Sequence, residues 1–182
     1  MIPKKFNWLT TIGVLPRLVQ AAIEYIGLKE VPGQKNNPVI MQMAEAVGVA
    51  DIYKNDDTSW CALFISFLCK KANKPLPATK DKYDLIRAAW FLKYGNPVRS
   101  GDEKLGDILV FQRTGGNHVG IYIAESKDTF YVLGGNQGNS VSIAEISKFR
   151  LREARRFYAT GGPASVKKYY LDTSGKVSTN EA

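Results

Sequence analysis

Two cysteines and one histidine are the residues of this sequence best suited to nucleophilic chemistry. Cys61 stands where the polar run DTSW meets the apolar run ALFISFLC, which ends at Cys69. A structural zinc site needs about four Cys or His ligands, so the chain has too few. On one helix the two cysteines would be ~12 Å apart, which is too far for a disulfide. We therefore expect two free thiols and neither a metal nor another cofactor.

Cys61 is the cysteine whose position favours reactivity. The polar lead-in predicts that Cys61 lies in the first turn of a helix, with N-cap oxygens offered by Asp57, Thr58 and Ser59. Free N–H groups and the helix dipole favour an anion there, and the thiolate is the reactive form of cysteine. The same N–H groups could bind an oxyanion. Cys69 lies two turns later among apolar residues, where we predict a core position.

His118 is the candidate partner of the thiol. It opens a predicted strand after the glycine turn GGN, on the face opposite Val119, Ile121 and Ile123. A strand-start histidine set against a helix-start cysteine is the arrangement of a thiol–imidazole pair. The alternative is a histidine that belongs to the turn and has no chemical role.

A third residue should orient the imidazole. The turn SKD joins predicted strands 118–125 and 129–135, and hairpin register places His118 opposite position 135 or 136. Asn136, followed by Gln137, is therefore expected beside the imidazole, where an amide oxygen can accept its N–H. The alternative is that GGNQGN is only a flexible loop.

The order of predicted elements defines the fold class. Four helices precede five strands, which favours an α+β fold with helices packed on an antiparallel sheet. The predicted helices cover 16–30, 38–47, 59–73 and 81–95, and the strands cover 104–113, 118–125, 129–135, 141–146 and 151–159. Residues 1–160 should form one domain. Residues 161–182 lack a core pattern and are predicted to be a tail or linker, in which VKKYYL could dock.

The net charge of the chain indicates which classes of partner it can bind. The formal net charge of +8 favours anionic polymers such as nucleic acid or bacterial cell wall. No nucleic-acid-binding signature is visible, and the basic residues are scattered. No apolar run approaches the ~18 residues of a membrane span, and no cleavage site follows MIPKKFNWLTTIGVLP. We expect a monomer without membrane insertion or signal peptide, cytoplasmic until it is released or delivered to the wall.

Five segments carry a family resemblance over residues 17–158. They are EYIGLKEVPGQKNNPVI, DTSWCALFISF, LGDILVFQR, NHVGIYIA and VLGGNQGNSVSI, in this order. Together they resemble phage-encoded and bacterial peptidoglycan hydrolases, which are similar to the CHAP and NlpC-type cysteine amidohydrolases. The resemblance implies a papain-like fold with the nucleophilic cysteine at the start of a buried helix.

The resemblance also implies roles for individual residues. Cys61 corresponds to the nucleophile and His118 to the base that later acts as acid. Asn136 corresponds to the orienting residue, with Gln137 as the alternate. Asp57 stands where such proteins often have an acidic residue in the cleft.

The chain departs from the family pattern at one place, and three aromatic residues are further candidates for the site. CHAP proteins commonly carry a carboxylate just before the asparagine, where this chain has Gly134 and Gly135. Trp60, Trp90 and Tyr94 could line a groove for glycan or peptide, or they could pack in the core.

The expected activity is hydrolysis of an amide bond in peptidoglycan. The bond would be that of a muramoyl–alanine amidase or of a stem or cross-bridge endopeptidase, and the protein would be a phage or prophage lysin. Two alternatives stay open. One is a non-catalytic wall-binding or phage structural module with the same fold, and the other is an antibacterial effector with the same chemistry.

Overall fold

The computed structural model describes residues 1–33, 35–157, 161–172 and 176–179, which form an α+β structure with a largely antiparallel sheet. The helices are α1 (Arg17–Ile23), α2 (Pro38–Val47) and α3 (Cys61–Lys71), with 3-10 helices at Lys4–Thr10, Lys82–Ile86, Ala88–Lys93 and Lys148–Arg150. The strands are β1 (Asn96–Val98), β2 (Ile108–Arg113), β3 (Gly116–Glu125), β4 (Thr129–Gly134), β5 (Ser142–Ser147), β6 (Leu151–Arg156), β7 (Tyr170–Leu171) and β8 (Val177–Ser178). The predicted α+β class is confirmed.

The sheet has the order β1-β6-β2-β3-β4-β5, and these neighbours are antiparallel. β7 joins the end of β3 in parallel, and β8 pairs with β7. Alternate residues of each strand face opposite sides of the sheet. Val119, Ile121 and Ile123 lie in the main core with the α-helices, whereas Phe111 and Tyr122 belong to a smaller core on the other side.

The helix that begins at Cys61 is buried along most of its length. Eight of its eleven residues are buried, so it is apolar on nearly every side, as expected for a helix inside a core. It packs against α1, α2 and the sheet. Its N-terminus is therefore held in a fixed place.

The prediction of an α-helix over residues 81–95 is wrong. Two short 3-10 helices replace it, and Arg87 between them is extended (φ −107°, ψ 117°). The Ser66 hydroxyl donates to the Leu85 carbonyl at 2.6 Å. In an α-helix that carbonyl would accept the N–H of Ala89. A tertiary contact thus replaces a helical hydrogen bond.

The remaining predicted elements agree with the structure in kind. Helix 38–47 has the predicted bounds, with Asn37 as its cap and Gly48 in the left-handed conformation after it. The first helix ends at Ile23 rather than near residue 30. The five predicted strands correspond to β2 to β6, although residues 158 and 159 lie outside the described part.

The Gly–Asp pair that opens β2 has a structural role. The Arg156 guanidinium binds both carboxylate oxygens of Asp107, at 2.8 and 2.7 Å. A Cβ at Gly106 would lie 2.8 Å from the Pro16 side chain. The pair thus ties the start of β2 to β6 and to the beginning of α1.

Part of the C-terminal segment packs on the domain. Ser165, Tyr169 and Leu171 are buried, and the Tyr169 carbonyl accepts the Glu125 N–H at 2.8 Å. The sequence left open whether the segment VKKYYL docks on the domain, and in the structure it does. The domain boundary at residue 160 stays a prediction. Within the described ranges, no helix has the length and apolarity required to cross a membrane.

Candidate active site

The N-terminus of α3 presents Cys61 without a side-chain cap. Trp60 occupies the N-cap position and makes no capping hydrogen bond with its side chain. The prediction that Asp57, Thr58 or Ser59 caps this helix is wrong, and the Thr58 hydroxyl instead donates to a side chain of its own loop. The first N–H groups of an α-helix have no acceptor inside it. They therefore make no hydrogen bond within α3 itself.

A hydroxyl and a guanidinium approach the thiol. Cys61 is 3% exposed, and its Sγ lies 3.9 Å from the Ser59 hydroxyl. Nη2 of Arg113, from the end of β2, donates to that hydroxyl at 3.3 Å. This contact connects the end of the β2–β3 hairpin to the residues that lead into α3.

His118 has a defined tautomer because Gln137 has a defined orientation. The Gln137 side-chain nitrogen donates to the carbonyls of Val132 (3.1 Å) and Ser142 (2.6 Å). Its Oε1 therefore faces Nε2 of His118, at 3.0 Å. An amide oxygen only accepts, so Nε2 carries the proton and Nδ1 keeps its lone pair.

The imidazole is neutral at pH 7. Burial lowers the pKa of His118 to about 4, and the hydrogen bond that Nε2 donates to Gln137 opposes this shift. The positive charges of Arg113 and Arg150 lower the pKa further. A neutral imidazole with Nδ1 unprotonated can accept a proton.

The Gly134–Gly135 pair lies between the imidazole and the start of α3. A Cβ on Gly134 would lie 3.1 Å from Oε1 of Gln137 and 3.4 Å from Nε2 of His118. A Cβ on Gly135 would lie 2.7 Å from the ring of Trp60, the residue before Cys61. A side chain at position 135 would displace that ring, which explains why no carboxylate precedes the asparagine here.

Cys61 belongs to the main core, whereas His118 pairs with Phe111 of the smaller core on the other side of the sheet. α3 packs on the Val119 face of β3, and His118 projects from the opposite face near the start of that strand. No hydrogen bond joins Sγ of Cys61 to the imidazole in the part of the chain that the structure describes. Gly134 lies near the imidazole, and Gly135 lies near the Trp60 ring at the start of α3.

Gln137, not Asn136, contacts the imidazole. β3 pairs with β4 as far as Ile121 opposite Leu133, a register that would place position 136 opposite His118. The strand ends before it reaches that position, and Asn136 has a left-handed φ of 55°. No described hydrogen bond joins Asn136 to the imidazole, so no contact supports the catalytic role predicted for Asn136.

The other predicted site residues are dispersed. Trp60 and Tyr94 are 0% and 2% exposed, so both pack in the core and neither lines an open groove. Trp60 also donates to a carboxylate oxygen of Glu30 at 3.1 Å. Trp90 is half-buried, with the Lys93 ammonium 4.0 Å from its ring centroid. Asp57 is exposed in the loop before α3.

One carboxylate near this loop is buried, and the sequence alone did not predict it. Asp56 is 0% exposed and accepts the backbone N–H groups of Val31 (3.0 Å) and Asn37 (2.7 Å). It fastens the loop before α2 to the loop before α3. The sequence pair DD does not show which aspartate turns inward.

Cys69 is a core residue, as predicted. It is free and buried, and burial raises the pKa of its thiol to about 12. Cys61 is free as well. No cluster of potential metal ligands occurs among the described residues.

Neither models of known protein families nor curated proteins match this chain. An uncapped helix N-terminus carries the thiol, and an imidazole with a fixed tautomer lies across two glycines from it. An imidazole with this tautomer can accept a proton, and unpaired N–H groups at a helix start can bind an oxyanion.

Proposed function

We propose that this protein is a cysteine-dependent amidohydrolase of peptidoglycan with a papain-like fold. One observation carries the proposal. Gln137 holds Nε2 of His118 as the proton donor and so leaves Nδ1 as a base, and α3 begins at Cys61 without a side-chain cap. A nucleophile, a base and an orienting amide are the parts that thiol hydrolysis requires.

The proposed reaction has two stages. Nδ1 of His118 takes the Cys61 proton, and the sulfur attacks the amide carbonyl carbon. The N–H groups at the start of α3 bind the oxyanion. His118 then returns the proton to the departing amine, which leaves a thioester. Water, deprotonated by the same imidazole, attacks the thioester and releases the acid and the thiol.

The proton transfer requires a closer approach of sulfur and imidazole than the free protein has. Catalytic hydrogen bonds are often long without substrate and tighten when it binds. Gly134 and Gly135 offer no side chain that would obstruct this approach. We expect substrate binding to complete the contact.

Peptidoglycan is the proposed substrate for two reasons. The sequence segments that contain Cys61, His118 and Gln137 resemble those of peptidoglycan hydrolases. The net charge of +8 also favours an anionic wall. Binding to the wall should therefore weaken as salt screens these charges.

Digestion of purified peptidoglycan, followed by mass spectrometry of the released fragments, tests the proposal. We expect new amine and carboxyl termini from the wild type and from Cys69→Ala, and none from Cys61→Ala. Circular dichroism should show that both variants are folded. Equal release by wild type and Cys61→Ala would refute the thiol mechanism. Binding to the wall without new termini would favour a non-catalytic module.

The same digestion identifies the bond. A muramoyl–alanine amidase separates glycan from peptide, whereas an endopeptidase leaves the first alanine on the sugar. The alternative of a delivered antibacterial effector has the same chemistry. It differs in how the protein reaches the wall.

A further inference from the structure

Three exposed arginines surround the hairpin end beside His118. Arg113 ends β2, Arg150 precedes β6, and Arg152 lies in β6. Sheet pairing places them together, because β2 pairs with both β3 and β6 at this end.

Each of these guanidiniums donates to an uncharged oxygen. The contacts are Arg113 Nη2 to Ser59 Oγ (3.3 Å), Arg150 Nε to the Gln112 carbonyl (3.0 Å) and Arg152 Nη1 to Asn117 Oδ1 (2.8 Å). Among the described residues, no carboxylate lies within ion-pairing distance of any of the three. Elsewhere in the chain, Arg87, Arg155 and Arg156 do form ion pairs.

Unneutralised positive charge here is unfavourable for the protein alone. Like charges at one surface repel each other, and two of these arginines oppose protonation of the His118 that the proposed reaction uses. The single contact found for each side chain leaves other guanidinium N–H groups free to bind a ligand. A bound anion would remove the repulsion.

We propose that Arg113 and Arg150 bind a carboxylate of the peptide substrate next to the scissile amide. This inference rests on the proposed function. Arg113 Nη2 and Cys61 Sγ contact the same Ser59 hydroxyl, at 3.3 and 3.9 Å. An anion held by Arg113 therefore lies within roughly two residues of the attacked carbonyl, at ~3.5 Å per extended residue.

That proximity identifies the source of the anion. Guanidinium groups bind carboxylate and phosphate equally well in geometric terms. A phosphate polymer of the wall would be a separate molecule competing for the space in front of the thiol. A carboxylate on the cleaved peptide itself can occupy the arginines while the amide occupies the nucleophile.

Paired substrates provide the test. Two synthetic muropeptides are compared, identical except that the carboxylate next to the scissile bond is a carboxamide in one. We expect wild-type kcat/KM to be about 10- to 100-fold higher for the acid, as for the loss of one or two charge-assisted hydrogen bonds. Arg150→Gln and Arg113→Gln should bring that ratio close to one, and Arg113→Lys should retain part of it.

Two control variants distinguish the loss of a positive charge at the subsite from a displaced Arg113 side chain. Ser59→Ala removes the contact of Arg113 and keeps both charges, so the acid preference should persist. Arg17→Gln removes a charge near Lys71, at the opposite end of α3 from Cys61. It should leave kcat/KM unchanged for both substrates.

The outcomes distinguish the two proposals. Cys61-dependent hydrolysis with equal kcat/KM for acid and amide would overturn the arginine subsite and leave the proposed function standing. If neither peptide is cleaved, calorimetry with Cys61→Ala decides, because tighter binding of the acid supports the subsite and equal binding overturns it. Inhibition by inorganic phosphate at constant ionic strength, without an acid preference, would assign the arginines to a phosphate ligand and overturn the proposal.

Discussion

The most informative single residue is Gln137, because its two donor contacts fix a proton on another side chain. With the amide nitrogen held by two carbonyls, the oxygen is the only atom that can face His118. An asparagine in a similar place could do the same in principle. The left-handed backbone of Asn136 ends the strand before that residue can reach the imidazole.

Substitution of the two amides separates their roles. We expect Gln137→Ala to lower kcat/KM about 100-fold, the scale of losing an oriented general base. Asn136→Gly, which suits the φ of 55°, should lower it far less. The chain has one histidine, so ¹⁵N NMR reports its tautomer directly. Equal losses in both variants, or an Nδ1-protonated wild type, would contradict the role of Gln137.

The buried imidazole makes both activity and stability depend on pH. Burial, reinforced by Arg113 and Arg150, lowers the pKa of His118 from 6.5 to about 4. The acid limb of kcat/KM should therefore lie well below pH 6.5, since the base stays unprotonated there. Rate measurements between pH 4 and pH 8 test this point, and a midpoint at 6.5 or above would contradict it.

The unfolded chain binds a proton on this histidine at a higher pH than the folded one. The contribution of His118 to stability is thus fully present above pH 6.5 and is lost as pH falls toward 4. The loss amounts to about 3 kcal/mol at 1.36 kcal/mol per pKa unit. Urea denaturation of wild type and His118→Gln at several pH values measures it. Parallel pH profiles of the two proteins would refute this assignment.

Among the elements, α3 and the end of β4 define the site together. α3 is held by apolar contacts along most of its length, so the site depends on how closely β4 approaches its first turn. Gly135 permits that approach, because a Cβ would lie 2.7 Å from the Trp60 ring and 2.8 Å from Cβ of Phe64. At Gly134, the obstruction would be the Gln137 amide instead.

The two glycines should therefore respond differently to alanine. Gly135→Ala should lower the free energy of unfolding by about 1–3 kcal/mol, as overpacking does. Gly134→Ala meets a flexible side chain, so we expect little loss of stability and a clear loss of kcat/KM as Gln137 moves. Denaturation curves and kinetics on both variants test this. An unchanged Gly135→Ala protein would show that α3 and β4 do not approach as closely as described.

At the scale of the whole molecule, the C-terminal segment covers the end of the sheet remote from the β2–β3 turn. Lys168 and Lys148 each lie 3.4 Å from the buried Glu125 carboxylate, at the end of β3. Burial raises the pKa of Glu125, and the two lysines oppose this shift. Tyr169 and Leu171 add apolar burial on either side of β7's first residue.

Docking of this segment should contribute to global stability. Leu171 is 3% exposed, and we expect Leu171→Ala to cost about 2–3 kcal/mol. Lys167→Ala, which changes an exposed side chain of the same segment, should alter stability by less than about 0.5 kcal/mol. Thermal denaturation of both variants measures the contrast. A neutral Leu171→Ala would mean that the segment does not dock in solution.

Local patterns in the sequence were sufficient for several parts of this protein. Helix 38–47 carries its own cap and terminating glycine, and the alternation of apolar residues indicates β2 to β6. The polar-to-apolar change at Cys61 locates the start of α3 and distinguishes the cysteine at the helix start from Cys69, two turns later. These features depend on neighbours along the chain, which is why they can be predicted.

Only the tertiary structure decided the features that depend on residues distant in sequence. The 81–95 segment is not an α-helix, because the Ser66 hydroxyl donates to the Leu85 carbonyl that a helical N–H would otherwise bind. The β7–β8 pair has no apolar run of its own and forms on the end of β3. The residue that orients His118 is Gln137, because the carbonyls of Val132 and Ser142 hold its amide nitrogen and because β4 ends one residue before Gly135. These three features depend on hydrogen bonds between distant segments and on where each strand ends. Local periodicity in the sequence does not reveal such contacts.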